Sequence, residues 1–126
     1  MAEQHSGQWS AKLSQLGIAL PPVAAPVAAY VPAVQAGNQV WTSGQLPFVE
    51  GALPATGKVG AEVSAEDAQR FARLAALNAI AAVDDLVGID NVARVLKIVG
   101  FVASAASFTG QPAVVNGASE LIGEIF

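Results

Sequence analysis

The sequence of 126 residues contains no cysteine and a single histidine, His5. The first absence excludes thiol nucleophiles, thiolate metal sites and a disulfide framework. The second leaves no imidazole pair for a zinc site, which takes about three or four ligands. Charge is scarce as well. Asp, Glu, Lys and Arg make up 13% of the chain against 53% hydrophobic residues, about half the charged share of roughly 25% usual in soluble domains. So few charges leave apolar surface uncovered in a monomer and favour an oligomer. The six basic residues stand singly in a chain of net charge −4. Phosphate binding needs clustered Lys and Arg, so nucleic acid is not an expected partner.

Long unbroken apolar runs are also missing. Ile18 to Val34 comes nearest, but Pro21, Pro22, Pro26 and Pro32 interrupt it, so a transmembrane helix and a membrane partner are not expected. The opening residues MAEQHSGQ show no basic stretch followed by an apolar one, which makes the cytoplasm the default compartment. The length suits one domain: residues 1–17 read as a tail and short helix, and 18–126 as the domain proper. Within the opening segment, Trp9 to Leu16 has a helical pattern, with Ser10 as a candidate N-cap and Gly17 just past its end.

What the chain does have is a strong hairpin signal. Gly37-Asn38 separates two strand-like runs, about Val27 to Gln35 and Gln39 to Gln45, and suits a two-residue turn that demands positive φ. A tight turn there sets the register. Residue 36 faces 39, Val34 faces Trp41, Pro32 faces Ser43 and Tyr30 faces Gln45, all on one side of the sheet. A phenol, a hydroxyl and a carboxamide then share a patch, unless a slip or a bulge at Gly44 moves some of them to the other face. Pro32 cannot donate to a ladder and marks an edge or irregular position.

Further along, Glu50-Gly51 and Pro54 to Gly57 are turn signals, and Lys58 to Val63 reads as a short third strand or extended arm. Ser64 opens a long helix, with Glu66 and Asp67 in its first turn and Gly88 closing it. Its expected core stripe is Ala68, Phe71, Ala72, Ala75, Ala79, Ala82, Val83 and Leu86. Leu74, Leu77 and Ile80 lie off that stripe, either as contacts with a neighbouring subunit or as scattered surface apolars. Val92 to Ala103 is β-branched and nearly all apolar, the pattern of a central strand. A second helix begins near Pro112, with Val114, Ala118, Leu121, Ile122 and Ile125 inward and Asn116, Glu120 and Glu124 outward. Its end at Ile125-Phe126 shows no cap and is expected to present an apolar terminus to water. The order β-β-β-α-β-α implies an α+β sandwich.

A tyrosine, eleven residues, then T-S-G-Q with G-N between, followed downstream by Gly100-Phe101-Val102 and FTGQPAVVN from Phe108 to Asn116, resembles the RidA family, also called the YjgF family. The likeness runs from about Gly17 to Phe126. It implies a chorismate-mutase-like fold, a homotrimer, no cofactor, and hydrolysis of reactive 2-enamines and 2-imines such as 2-aminoacrylate at clefts between subunits. By that likeness Tyr30 lies at the site mouth, Ser43 and Gly44 line it, and Asn116 helps position a small carboxylate-bearing metabolite. The family's two closing strands, with an arginine that grips the carboxylate and a glutamate that orients water, would fall beyond Phe126. Without them the printed chain is expected to be inactive and incomplete. From the residues alone, Ser43 and Gln45 are ladder or turn residues and Asn116 is a solvated helix residue. No histidine is available to activate Ser43, and T-S-G-Q is not the G-x-S-x-G elbow. The alternative function is a non-catalytic member of the family that binds small metabolites or assembles through the same cleft.

Overall fold

The computed structural model describes residues 7–25 and 28–126. His5, Pro26 and the expected start of the first strand at Val27 lie outside them. The elements run α1 (Gln8–Leu16), β1 (Ala33–Ala36), β2 (Gln39–Thr42), α2 (Ala65–Val87), a 3-10 turn (Ile89–Asn91) and α3 (Gln111–Ile125). They make a small α+β domain in which the two-stranded sheet and α3 both pack on α2. No described helix is long and apolar enough to cross a membrane.

The hairpin forms in the expected register, with Val34 opposite Trp41 and Ala36 opposite Gln39. Of the two turn residues only Gly37 has positive φ, 60°, the pattern of a type II′ turn, in which glycine is needed at the first central position alone. Both strands are shorter than the sequence suggested. Pairing persists one step past β1, where the Ser43 amide donates to the Pro32 carbonyl at 2.8 Å. Pro32 thus contributes only its acceptor, as a residue without an N–H must.

Two expected strands do not form. Lys58–Val63 closes on itself, because the Lys58 carbonyl accepts from Ala61 and Val63 and the Glu62 carboxylate accepts from the Lys58 amide. Val92–Ala103 forms no ladder. Near its C-terminal end the Val59 amide donates to the Ala103 carbonyl, and the Val59 carbonyl accepts from Ala105. A central strand is buried by neighbours on both edges and faces, whereas Leu96, Val99 and Phe101 are exposed here, Phe101 at 94%.

Helix α2 begins as the sequence indicates. Ser64 Oγ accepts from the Asp67 amide at 3.1 Å, and Gly88, at φ 81°, donates to the Asp84 carbonyl. Its burial differs from the expected stripe. Ala68, Asn78, Ile80, Ala81 and Ala82 are buried, Leu86 is exposed, and every residue from 71 to 83 is at least half-buried. A helix packed on two sides has no solvent face for off-stripe apolars. Ile80 therefore joins Leu13, Ile89, Leu121 and Ile125 in one core cluster, with Leu77 packed against it. A second cluster joins Val59, Val63, Ala68 and Val114. Helix α3 presents its expected inward residues, Val114, Ala118, Leu121 and Ile125, together with Gly117. Phe126 does not stand in water: it packs edge-on against Trp9, ring centroids 5.2 Å apart.

Gly117 marks a close approach of α3 to the backbone of α2. A Cβ built there would overlap the Gln69 carbonyl oxygen and lie 2.9 Å from its carbon, while the Gln69 side-chain amide donates to the Ala113 carbonyl at 2.8 Å. Glycine inside a helix gives up about 1 kcal/mol to alanine in propensity. The overlap outweighs that gain, since backbone cannot yield as a side-chain tip can.

The first helix is capped from far away. Ser10 is not its N-cap: Gly7 occupies that position at φ 71° and supplies no side chain. The Asp90 carboxylate instead accepts from the Trp9 amide at 2.8 Å, the Ser10 amide at 2.9 Å and Ser10 Oγ at 2.6 Å. An anion there also complements the positive helix end. The Ser10 hydroxyl first, and then the two amides, hold Asp90 below the usual aspartate range. The Trp9 indole donates to the Val92 carbonyl at 2.7 Å, which fixes the helix at a second point.

Two measurements test these packing arguments. Gly117→Ala is expected to destabilise the fold by about 1–3 kcal/mol in denaturant unfolding, the usual cost of overpacking; a stabilised variant would mean the helices separate freely. For Asp90→Asn, the depressed carboxyl stabilises the fold above its unfolded pKa of about 4, and this contribution is lost as pH falls through its folded pKa. The variant is expected to melt below the wild type at neutral pH, and the gap should narrow as pH falls below the unfolded value of about 4. A gap independent of pH would remove the carboxylate from the account.

Candidate functional site

Past β2 the chain leaves the ladder after Ser43, and the residues that follow lie beside those before β1. A shallow hollow of about 20 Å³ results, lined by Ala24, Ala25, Tyr30, Pro32, Ser43, Gly44, Gln45, Leu46 and Phe48. That is room for about one water molecule. Its polar groups are ordered by one another. Ser43 Oγ donates to the Pro32 carbonyl at 3.2 Å and accepts from Gln45 Nε2 at 3.3 Å. With its proton directed to a carbonyl, Ser43 is a fixed polar contact rather than an activated nucleophile. Tyr30 is 41% exposed at the rim, and a Cβ on Gly44 would meet open space. The lining carries no carboxylate, guanidinium or ammonium group. Among the described residues no group of three or more metal-ligating side chains occurs.

The structure thus brings Tyr30, Ser43 and Gly44 together, and Gln45 with them. Asn116 is not among them. It is exposed on α3, and α3 packs on α2 and α1 without reaching the hairpin.

Asn78 is the residue that sequence reasoning missed. It sits on α2 at 2% exposure, and its Nδ2 donates to the carbonyls of Leu46 at 2.9 Å and Phe48 at 3.1 Å. The signal was a lone amide in the run Leu74–Ala82, where buried polar groups occur only with partners.

Residues 10–126 match the family model described as "YjgF/chorismate_mutase-like, putative endoribonuclease". The chain belongs to the YjgF family. Among relatives, Protein TCP17 of Trypanosoma cruzi is 43% identical over 122 residues, which are 96% of this chain and 76% of that protein. A crystal structure of the Agrobacterium tumefaciens protein Atu1372, titled as having unknown function, superposes with a TM-score of 0.83 at 42% identity, covering 96% of this chain and 75% of that one. A crystal structure titled "putative endoribonuclease" from Shewanella oneidensis gives 0.83 at 32%, covering 94% and 79%. The YjgF-family match begins at residue 10, a few residues ahead of the resemblance seen in the sequence, and so takes in most of α1.

Ser43→Ala would remove the hydroxyl that joins Pro32 to Gln45. A half-buried neutral pair of this kind is worth about 1 kcal/mol, and chemical unfolding should show a loss of that size with the hairpin register unchanged by NMR. No measurable loss would mean that water replaces the hydroxyl at no cost.

Proposed function

We propose that this YjgF-family chain is a hydrolytic deaminase of reactive 2-enamines and 2-imines, acting at a cleft completed between subunits. One observation carries the reading: Tyr30, Ser43 and Gly44, the positions that the resemblance gives to the site, line one hollow. In the reaction the enamine 2-aminoacrylate tautomerises to its imine. Water adds to the C=N carbon, the C–N bond breaks, and pyruvate and ammonia leave. In this scheme Ser43 and Gln45 offer polar contacts to the substrate or the attacking water, the Tyr30 ring covers the mouth, and Gly44 lets the ligand approach the backbone.

The hollow is too small for such a substrate and lacks a cation for its carboxylate. Arg70 and Arg73 pair with Asp67 and Glu124 instead. Our reading therefore needs an assembly, in which Asn116 of one copy meets Tyr30 and Ser43 of another and a cation comes from outside this lining. Exposed Val34, Trp41, Leu96, Val99 and Phe101 support association, because apolar surface of this extent usually marks a contact. The same lack of a cation favours the second reading, a member of the family that binds small metabolites without turnover. The charge of −4 gives little support to RNA cleavage, which needs an electrostatic footprint for phosphate.

The protein is expected to scatter light as a trimer, three times the 12.7 kDa chain mass, and to accelerate ammonia release from enzymatically generated 2-aminoacrylate. Gly44→Val should abolish the acceleration and leave the trimer intact. A trimer that binds 2-keto acids without turnover would select the second reading, and a monomer would remove the shared cleft altogether.

A further inference from the structure

The lip of the hollow is held from behind. The Leu46 carbonyl accepts from Asn78 Nδ2 and also from the Phe48 amide at 2.8 Å, so both of its lone pairs are engaged. The Phe48-to-Leu46 bond spans one residue, Pro47, which makes an inverse γ-turn whose central φ suits proline. The Phe48 carbonyl accepts the second Asn78 hydrogen. One buried amide on α2 thus takes two carbonyls of the segment that follows Ser43-Gly44-Gln45, and Leu46 and Phe48 themselves line the hollow. No other described side chain of α2 hydrogen-bonds to this segment.

We propose that Asn78 is a positioning residue for this site: by fixing the Leu46-Pro47-Phe48 turn to α2 it sets where Ser43, Gly44 and Gln45 stand relative to a bound substrate. The catalytic part of this inference rests on the deaminase reading; the mechanical part does not. β2 ends at Thr42 and the last pairing bond is that of the Ser43 amide, so the residues from Gly44 onward lie outside the ladder and depend on other restraints. On one side they are tied to Pro32 through Ser43. On the other they are tied to α2 through Asn78, which the two packed faces of that helix hold rigidly. A ligand-contacting turn anchored to a buried helix is ordered before the ligand arrives, and displacements of about 1 Å at such positions can cost up to about a hundredfold in rate.

The test uses the full assembled protein and two variants, Asn78→Leu, which removes both donors at similar volume, and Asn78→Gln, which keeps an amide but moves it by one methylene. Amide hydrogen exchange at Phe48 and Val49 should accelerate about tenfold or more in both variants, while the amides of Ile80 and Leu121 stay within about twofold of wild type. Should the leucine variant fail to fold, the glutamine variant carries the comparison. With imine substrate, kcat is expected to fall about tenfold with KM changed far less, since a misplaced lip loses orientation rather than contact. Exchange that rises equally in lip and helices, or not at all, overturns the positioning role. So does a loosened lip with unchanged kcat. A wild-type protein inert toward imines would overturn the deaminase reading instead, and the exchange data would still decide whether Asn78 holds the lip.

Discussion

The approach of α3 to the backbone of α2 at Gly117 is the constraint on which the remaining packing depends. A side chain there would separate the helices, and with them the two core clusters that lie along their contact, one around Leu121 and Ile125 and the other around Val114. The closeness has a cost in helix propensity and is sustained by what it brings together. Gln69 reaches the Ala113 carbonyl across the same gap, and Arg73 reaches Glu124 further along. Because α2 is occupied by α3 on one side and by the hairpin on another, it has almost no free surface through its middle. It can therefore act as a rigid post for whatever is tied to it.

The hairpin and the segment that follows it are tied to that post in different ways. The strands pack on α2 through side chains, which tolerate small shifts. The lip is bonded to it through Asn78, and hydrogen bonds of defined length tolerate much less. The hollow thus combines a short, twist-prone two-stranded ribbon with one rigidly referenced edge.

The features legible in the sequence were those decided by chemistry within a few residues. Gly37-Asn38 specified the turn and hence the register, Ser64 with Asp67 specified a helix start, and Gly88 its end. The inward face of α3 followed from its period. The failures have a common cause in partners distant along the chain. Val92–Ala103 has the composition of a buried strand, but composition does not say whether edges are available to pair with it. Ser10 has the right chemistry for a cap, yet the carboxylate that caps α1 belongs to residue 90. Ile80 lay off a stripe drawn for a helix with one buried face, when the helix has two. Tyr30, Ser43 and Gln45, which the hairpin register put on one side, line one hollow, and Gly44, named by the family likeness alone, lines it too. Asn78 was overlooked because a periodicity argument treats a polar residue in an apolar run as noise, when its burial makes it a connection.

The long reach from Asp90 to Trp9 and Ser10 also bears on how the molecule is born. An emerging chain exposes the first helix to the cell while its capping group, some eighty residues later, has yet to be polymerised. A nine-residue helix is too short to persist alone in water. During synthesis this segment should stay unfolded, with Trp9 and Leu13 uncovered and open to chaperones, until Asp90, which caps it, and α3 and Phe126, which pack on it, have cleared the ribosome.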